Sequence, residues 1–162
     1  MRNASYSVTV TATGGAPMYH AIVRSKVRAL WRTTGDGSGN YHPAVAMAAP
    51  DLRFRFIGDT ILGAELRGRE AFADWFEKAG RCFPGMRLSL VDVVVKGWPW
   101  NTTVVVRLRI EATLADGSAY ENEGIQWVKI RWGRMVEDTV LEDTLRLQQA
   151  WRRQEAAMAA KG

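Results

Sequence analysis

The apolar positions of this chain change their period part-way along. In residues 18–32, Val23, Val27, Leu30 and Trp31 recur at helical spacing, with Arg24, Lys26, Arg28 and Arg32 between them. That pattern predicts a helix with a basic outer face. Gly35-Asp36-Gly37-Ser38-Gly39-Asn40 then breaks it as a loop. Pro43 suits the first turn of a short second helix over 44–49, and Pro50 ends it. Leu52-Arg53-Phe54-Arg55-Phe56 alternates strictly and predicts a half-buried strand. Gly58-Asp59 makes a turn, with 61–66 as a short returning strand. Gly68-Arg69-Glu70 opens a third helix whose apolar face is Phe72, Trp75, Phe76 and Ala79, and Phe83-Pro84-Gly85 stops it.

The second half carries strand signal. Residues 88–96, 102–114, 119–132 and 135–143 are rich in β-formers. They are separated by Gly97-Trp98-Pro99-Trp100-Asn101, by Ala115-Asp116-Gly117-Ser118 and by Gly133-Arg134. A last helix over 145–160 is anchored by Leu147 and Trp151. Helices segregated from strands indicate an α+β fold. The long consecutive strands make one curved sheet, and helices over its concave face leave a cone with an internal pocket.

Composition narrows the function classes. The chain has 162 residues, 47% of them hydrophobic and 24% charged, as a folded domain does. No run of apolar residues is long enough for a membrane span. The net charge is +5, but the 22 basic residues are scattered as single residues and short pairs such as Arg152-Arg153 rather than in a run, which argues against nucleic acid as a partner. The single Cys82 excludes an internal disulfide framework, and no metal-ligand spacing, phosphate-binding loop or nucleophile elbow occurs. Neither metal nor cofactor is expected. Residues 1–17 are rich in Ser, Thr, Gly and Ala and read as a loosely attached leader, with Met18 as an alternative start to Met1. They lack the features of a secretory signal, so the expected location is cytoplasmic. The expected domain spans 18–150, with 151–162 as the end of the last helix and a tail.

Certain residues carry a resemblance. They are Gly68-Arg69-Glu70-Ala71-Phe72 through Trp75-Phe76, Phe83-Pro84, Asp92-Val93 and Gly97-Trp98-Pro99-Trp100. Further along come Asp116-Gly117 with Tyr120-Glu121-Asn122, Gly133-Arg134-Met135 and Leu141-Glu142-Asp143-Thr144. In order and spacing the chain resembles the SnoaL-like branch of the NTF2-like superfamily, over roughly residues 18–150. The resemblance implies an NTF2-like cone with a deep apolar pocket, and a homodimer formed through the sheet. The superfamily includes polyketide cyclases, ketosteroid isomerase-like and limonene epoxide hydrolase-like enzymes, and non-catalytic modules, so fold alone does not choose among them.

The residues discriminate further. Isomerase-like chemistry wants a carboxylate on the strand before the Gly-Arg-Glu motif, where Phe54, Arg55 and Phe56 stand instead. The first-helix tyrosine of that family falls near Arg28, with Tyr19 well before it. Epoxide-hydrolase-like chemistry wants an Asp-Arg-Asp set. Arg109-Ile110-Glu111 offers half of it, but the second acid falls at Val140, with Asp138 and Glu142 two residues to either side. Cyclase-like chemistry needs one pocket acid or base. His20 on the first helix could reach the pocket mouth but reads rather as a surface residue, and His42, before Pro43, as a cap or loop residue.

Strand parity supplies the remaining candidates. Tyr120, Asn122, Gly124, Gln126 and Val128 share one strand face with the mixed polarity of a ligand cavity. On the last strand Glu137, Thr139, Leu141 and Asp143 share a face. Asp143 stands where the resemblance implies a pocket acid, which makes it the candidate acid/base, its alternative role being the cap of the following helix. Arg109 is the candidate oxyanion stabiliser, its alternative, like that of Arg107, a cross-strand salt bridge to Glu121 or Glu123. Tyr120, Asn122, Gln126, Trp75, Phe56 and Trp31 are the candidate substrate-binding residues. The expectation is a small apolar molecule bound in the cone by a cofactor-independent isomerase, cyclase or hydrolase. The alternative is a non-catalytic ligand-binding or dimerisation module.

Overall fold

The computed structural model describes residues 16–160. Its elements run α1 (Ala16–Thr34), α2 (His42–Met47), β1 (Ala48–Phe56), β2 (Ala64–Arg67), α3 (Arg69–Cys82), β3 (Arg87–Trp98), β4 (Asn101–Thr113), β5 (Ala119–Arg131), β6 (Arg134–Glu142) and α4 (Thr144–Ala159). The strands form one curved, unclosed sheet in the order β2-β1-β6-β5-β4-β3. Only β1 and β6 are parallel; the other neighbours are antiparallel. This is the α+β cone expected of an NTF2-like chain.

Alternation decides which face is buried. On β4, Thr102, Val104, Val106, Leu108 and Ile110 point inward while Arg107 and Arg109 stay in solvent. Leu52, Phe54 and Phe56 do the same on β1. The helices close the concave face. Phe72 and Trp75 of α3 meet Phe54 at ring distances of 4.9 and 4.6 Å, and the Trp75 indole donates to the Leu62 carbonyl at 2.9 Å. At the other end Phe83 stacks on Tyr120 and meets Trp151 of α4. The helix α4 crosses residue 150 unbroken, and the Gln154 side chain accepts the Ala115 N–H at 2.6 Å.

Some boundaries differ from the sequence expectation. The second helix ends at Met47 rather than 49, because Pro50 lies inside β1. Proline offers no N–H to a ladder, and the pairing of β1 with β6 shifts register between Ala48 and Arg53, around it. Ala16 and Pro17 belong to the first turn of α1 rather than to a leader; the rest of that expectation, residues 1–15, lies outside the described residues.

The first helix is fastened where β3 turns into β4. The His20 ring pairs with the Gly97 carbonyl at 2.8 Å, and the Tyr19 hydroxyl meets that of Thr102 at 2.5 Å. Gly97 sits at φ +100, and a Cβ there would lie 2.1 Å from the Asn101 carbonyl oxygen. Gly97→Ala is therefore expected to lower the unfolding free energy by about 2 kcal/mol or more. Gly117→Ala, at φ +83 in open space, should cost only the backbone strain of about 1 kcal/mol. Urea denaturation of the two variants side by side checks the difference.

Candidate active site

The site grows from the pairing of β5 with β6. Gln126 faces Val140 and Val128 faces Asp138, so Gln126 and Asp138 are diagonal neighbours on the concave face. The Gln126 side-chain amide donates to Asp138 Oδ2 at 2.9 Å. Asp138 is 1% exposed, and its Oδ1 has no hydrogen-bond partner among the described residues.

Above this pair lies a cavity of about 60 Å³. Its floor is Val104 and Val106 of β4, Gln126, Val128 and Ile130 of β5, and Met135 and Asp138 of β6. Its walls are Val27, Leu30, Trp31 and Thr34 of α1, Ala44 and Met47 of α2, and Phe72 and Phe76 of α3. The lining is almost entirely hydrocarbon, and Asp138 is its one titratable group. Burial pushes the Asp138 carboxyl up to about 7, and the Gln126 hydrogen bond pulls it only partly back. Oδ2 accepts from the Gln126 amide, which leaves Oδ1 as the oxygen free to carry the proton of the neutral acid. The arrangement can give a proton to a bound molecule or take one from it near neutral pH.

A second acid, half-buried, lies further along β6. Glu142 accepts from Asn122 Nδ2 at 3.4 Å, and the same amide nitrogen reaches the Tyr120 hydroxyl at 2.9 Å and the Asp143 carbonyl at 3.1 Å. Burial raises Glu142 to about 7, against the pull of hydrogen bonds from Asn122 and Tyr120. Burial, with Glu142 next, raises the Tyr120 hydroxyl as well. These groups satisfy one another and tie the start of α4 to the sheet.

The expected site residues separate accordingly. Gln126 and Trp31 line the cavity. Tyr120 and Asn122 belong to the Glu142 cluster beneath α4, while Trp75 and Phe56 pack together at 5.6 Å, outside the lining. Asp143 is exposed and accepts from the N–H groups of Leu145 and Arg146, both at 3.1 Å, so it caps α4. Arg109 is exposed on the outer face of β4, opposite Glu123 across the β4–β5 ladder, away from the cavity. It is Arg107 that pairs with Glu123, at 3.0 Å. The cavity acid is Asp138, and Thr34 joins it. Asp138 was visible in the sequence as one of two acids flanking Val140; nothing in the sequence set Thr34 apart.

A model of the SnoaL-like domain matches residues 27–138. The chain belongs to the SnoaL-like domain family. No curated protein sequence matches this SnoaL-like chain significantly. Solved structures do. TerC, co-crystallised with polyporic acid, superposes with a TM-score of 0.65 at 16% identity, covering 80% of this chain and 97% of its own. A candidate SnoaL-like polyketide cyclase from Jannaschia follows with 0.63 at 18%, covering 79% and 89%. An NTF2-like protein of unknown function from Burkholderia pseudomallei gives 0.61 at 20%, covering 78% and 97%. At these identities the likeness is one of fold.

Asp138 and Glu142 together set a pH dependence. Each is held above its ordinary value in the folded chain, so folding favours the protonated forms. Their stabilising share is full below about pH 4, declines as pH rises, and is gone above about pH 7. Asp138→Asn should flatten this decline, leaving the Glu142 share. Urea midpoints measured from acidic to mildly alkaline pH check it; an unchanged slope would contradict the assignment.

Proposed function

We propose that this SnoaL-like chain is a cofactor-independent small-molecule enzyme of the cyclase or isomerase type, with Asp138 as its acid/base. One observation carries the reading: a fully buried carboxyl with one oxygen held by Gln126 and the other unpartnered at an apolar cavity. A neutral carbonyl compound entering the cavity meets a proton donor at its oxygen, and the ionised form of the same group takes a proton from the adjacent carbon. Enolisation or aldol-type ring closure are the reactions such a group serves. TerC, a relative in fold, was co-crystallised with polyporic acid, in keeping with a small-molecule ligand. The cavity volume of about 60 Å³ is well below that of ordinary ligand pockets, roughly 300–1,000 Å³.

The same small volume favours a second reading, a non-catalytic binding module. Butanone separates the two. Exchange of its α-protons in heavy water, followed by NMR, should be accelerated by the wild type and lost on Asp138→Asn, by about a hundredfold or more. Asp143→Asn should leave the exchange rate intact. Binding of butanone without exchange supports the module instead.

The homodimer belongs to this proposal. Across the outer face Val94 pairs with Val105, Val105 with Trp127 and Trp127 with Thr139, and Ile125 and Leu141 pair in the next row. Val94, Ile125, Trp127 and Leu141 are all exposed. Such a contiguous apolar patch suits a second copy of the same sheet. Trp127→Glu should yield a monomer by sedimentation velocity with the fold retained; an unchanged sedimentation coefficient would remove this face from the interface.

A further inference from the structure

Two polar atoms at the cavity are buried without a partner, and only one belongs to the acid. Thr34, the last residue of α1, is 3% exposed and lines the cavity, and its Oγ1 makes no hydrogen bond among the described residues. A helical threonine ordinarily returns its hydroxyl to a carbonyl one turn back. The neighbouring Thr33 does so, donating to the Leu30 carbonyl at 2.9 Å. Thr34 is not left over from a frayed end. The next residue, Gly35, donates to the Trp31 carbonyl at 2.9 Å and accepts from the Leu88 N–H at 2.9 Å. It sits so tightly on β3 that a Cβ would fall 2.0 Å from the Leu88 oxygen. The backbone that carries Thr34 is thus clamped, and its hydroxyl stays buried at a cost of about 1–3 kcal/mol unless something pairs with it.

Resting on the reading of Asp138 as the acid/base, we infer that Thr34 is the second polar contact of the ligand. The ligand is then an uncharged, largely apolar molecule with two oxygen functions, a carbonyl at Asp138 and a hydroxyl or second carbonyl at Thr34. No cationic side chain lines the cavity to receive an anion, and Asp138 supplies its one carboxylate. The threonine hydroxyl both donates and accepts, so it discriminates by the presence of an oxygen rather than by its protonation state. It acts as a specificity residue, while the proton is moved at Asp138.

The test uses the full chain with butanone, which has one oxygen, and with acetoin and its β-hydroxy isomer, which have two. Dissociation constants come from saturation-transfer NMR. The wild type should prefer at least one hydroxybutanone over butanone. Thr34→Val should erase that preference, roughly fivefold for one neutral hydrogen bond, read as the ratio of hydroxybutanone to butanone affinity within each variant. Thr34→Ser should keep it. Since Thr34→Val removes an unpartnered hydroxyl, its thermal midpoint should equal or exceed that of the wild type. A preference that survives Thr34→Val, or is absent from the wild type, overturns the inference and leaves the acid/base reading standing. Preference lost on Thr34→Val while butanone exchange ignores Asp138→Asn sinks the acid/base reading but not the Thr34 contact. Failure of all three ketones to bind the wild type overturns both.

Discussion

The pairing of β5 with β6 is the constraint on which the site depends. Its register shifts once, between Lys129 and Ile130. Before the shift Met135 is buried opposite Ile130; after it the buried residues of β6 are Asp138 and Val140. A strand shows alternate faces with a period of two, so one extra residue exchanges inside for outside. That exchange carries Asp138 under the helices and leaves Glu137 on the outer side, where it pairs with Arg53. Without the shift an inward Met135 would imply inward Glu137 and Thr139, and Asp138 would lie on the outer face.

Much of the fold follows directly from the sequence. The period of 3.6 at Phe72, Trp75, Phe76 and Ala79 gave α3, and the strict alternation of residues 52–56 gave the core of β1. On β5 the inward set Tyr120, Asn122, Gly124 and Val128 is the buried one, with Gln126 half-buried beside it. The site was less legible because parity on β6 is set by a pairing irregularity that no local pattern reveals. The resemblance implied a pocket acid at Asp143; the structure makes it the cap of α4, the other role its position allowed. Arg109 was ambiguous for a related reason. A charged residue alternating with Leu108 and Ile110 is outward by parity, whatever chemistry its type suggests. Thr34 was invisible because its role depends on a hydroxyl left unpaired in three dimensions.

The seven tryptophans show how composition misleads when read as a sum. Trp31 lines the cavity and Trp75 is bound into the core by its indole N–H. Trp98 and Trp100 stack with their rings 6° from parallel, and Trp132 leans on Trp100 at 6.2 Å. Trp132 is 73% exposed and occupies a turn at φ +49, where a bulky side chain is disfavoured. Its backbone N–H donates to the Pro99 carbonyl at 2.6 Å, so the β5–β6 turn is held against the β3–β4 turn. That contact braces the end of the sheet where the register shift occurs, and it ties the aromatic rim to the geometry of the cavity floor.

Asp138 and Glu142 lie four residues apart on one strand face, and burial raises both to about 7. Their partners separate their roles. Glu142 is held by Asn122 and Tyr120, and Asn122 also reaches the Asp143 carbonyl, so protonation there bears on how α4 is fastened. Asp138 has one partner and a free oxygen, with a second unpaired hydroxyl at Thr34 on the same cavity. A core that tolerates two unpaired polar atoms around a single small cavity is less stable than one filled with Val and Leu there. A ligand that pairs both atoms removes that cost on binding. The network around Glu142 contributes to stability, while the incomplete one around Asp138 leaves stabilisation to be gained by a bound molecule.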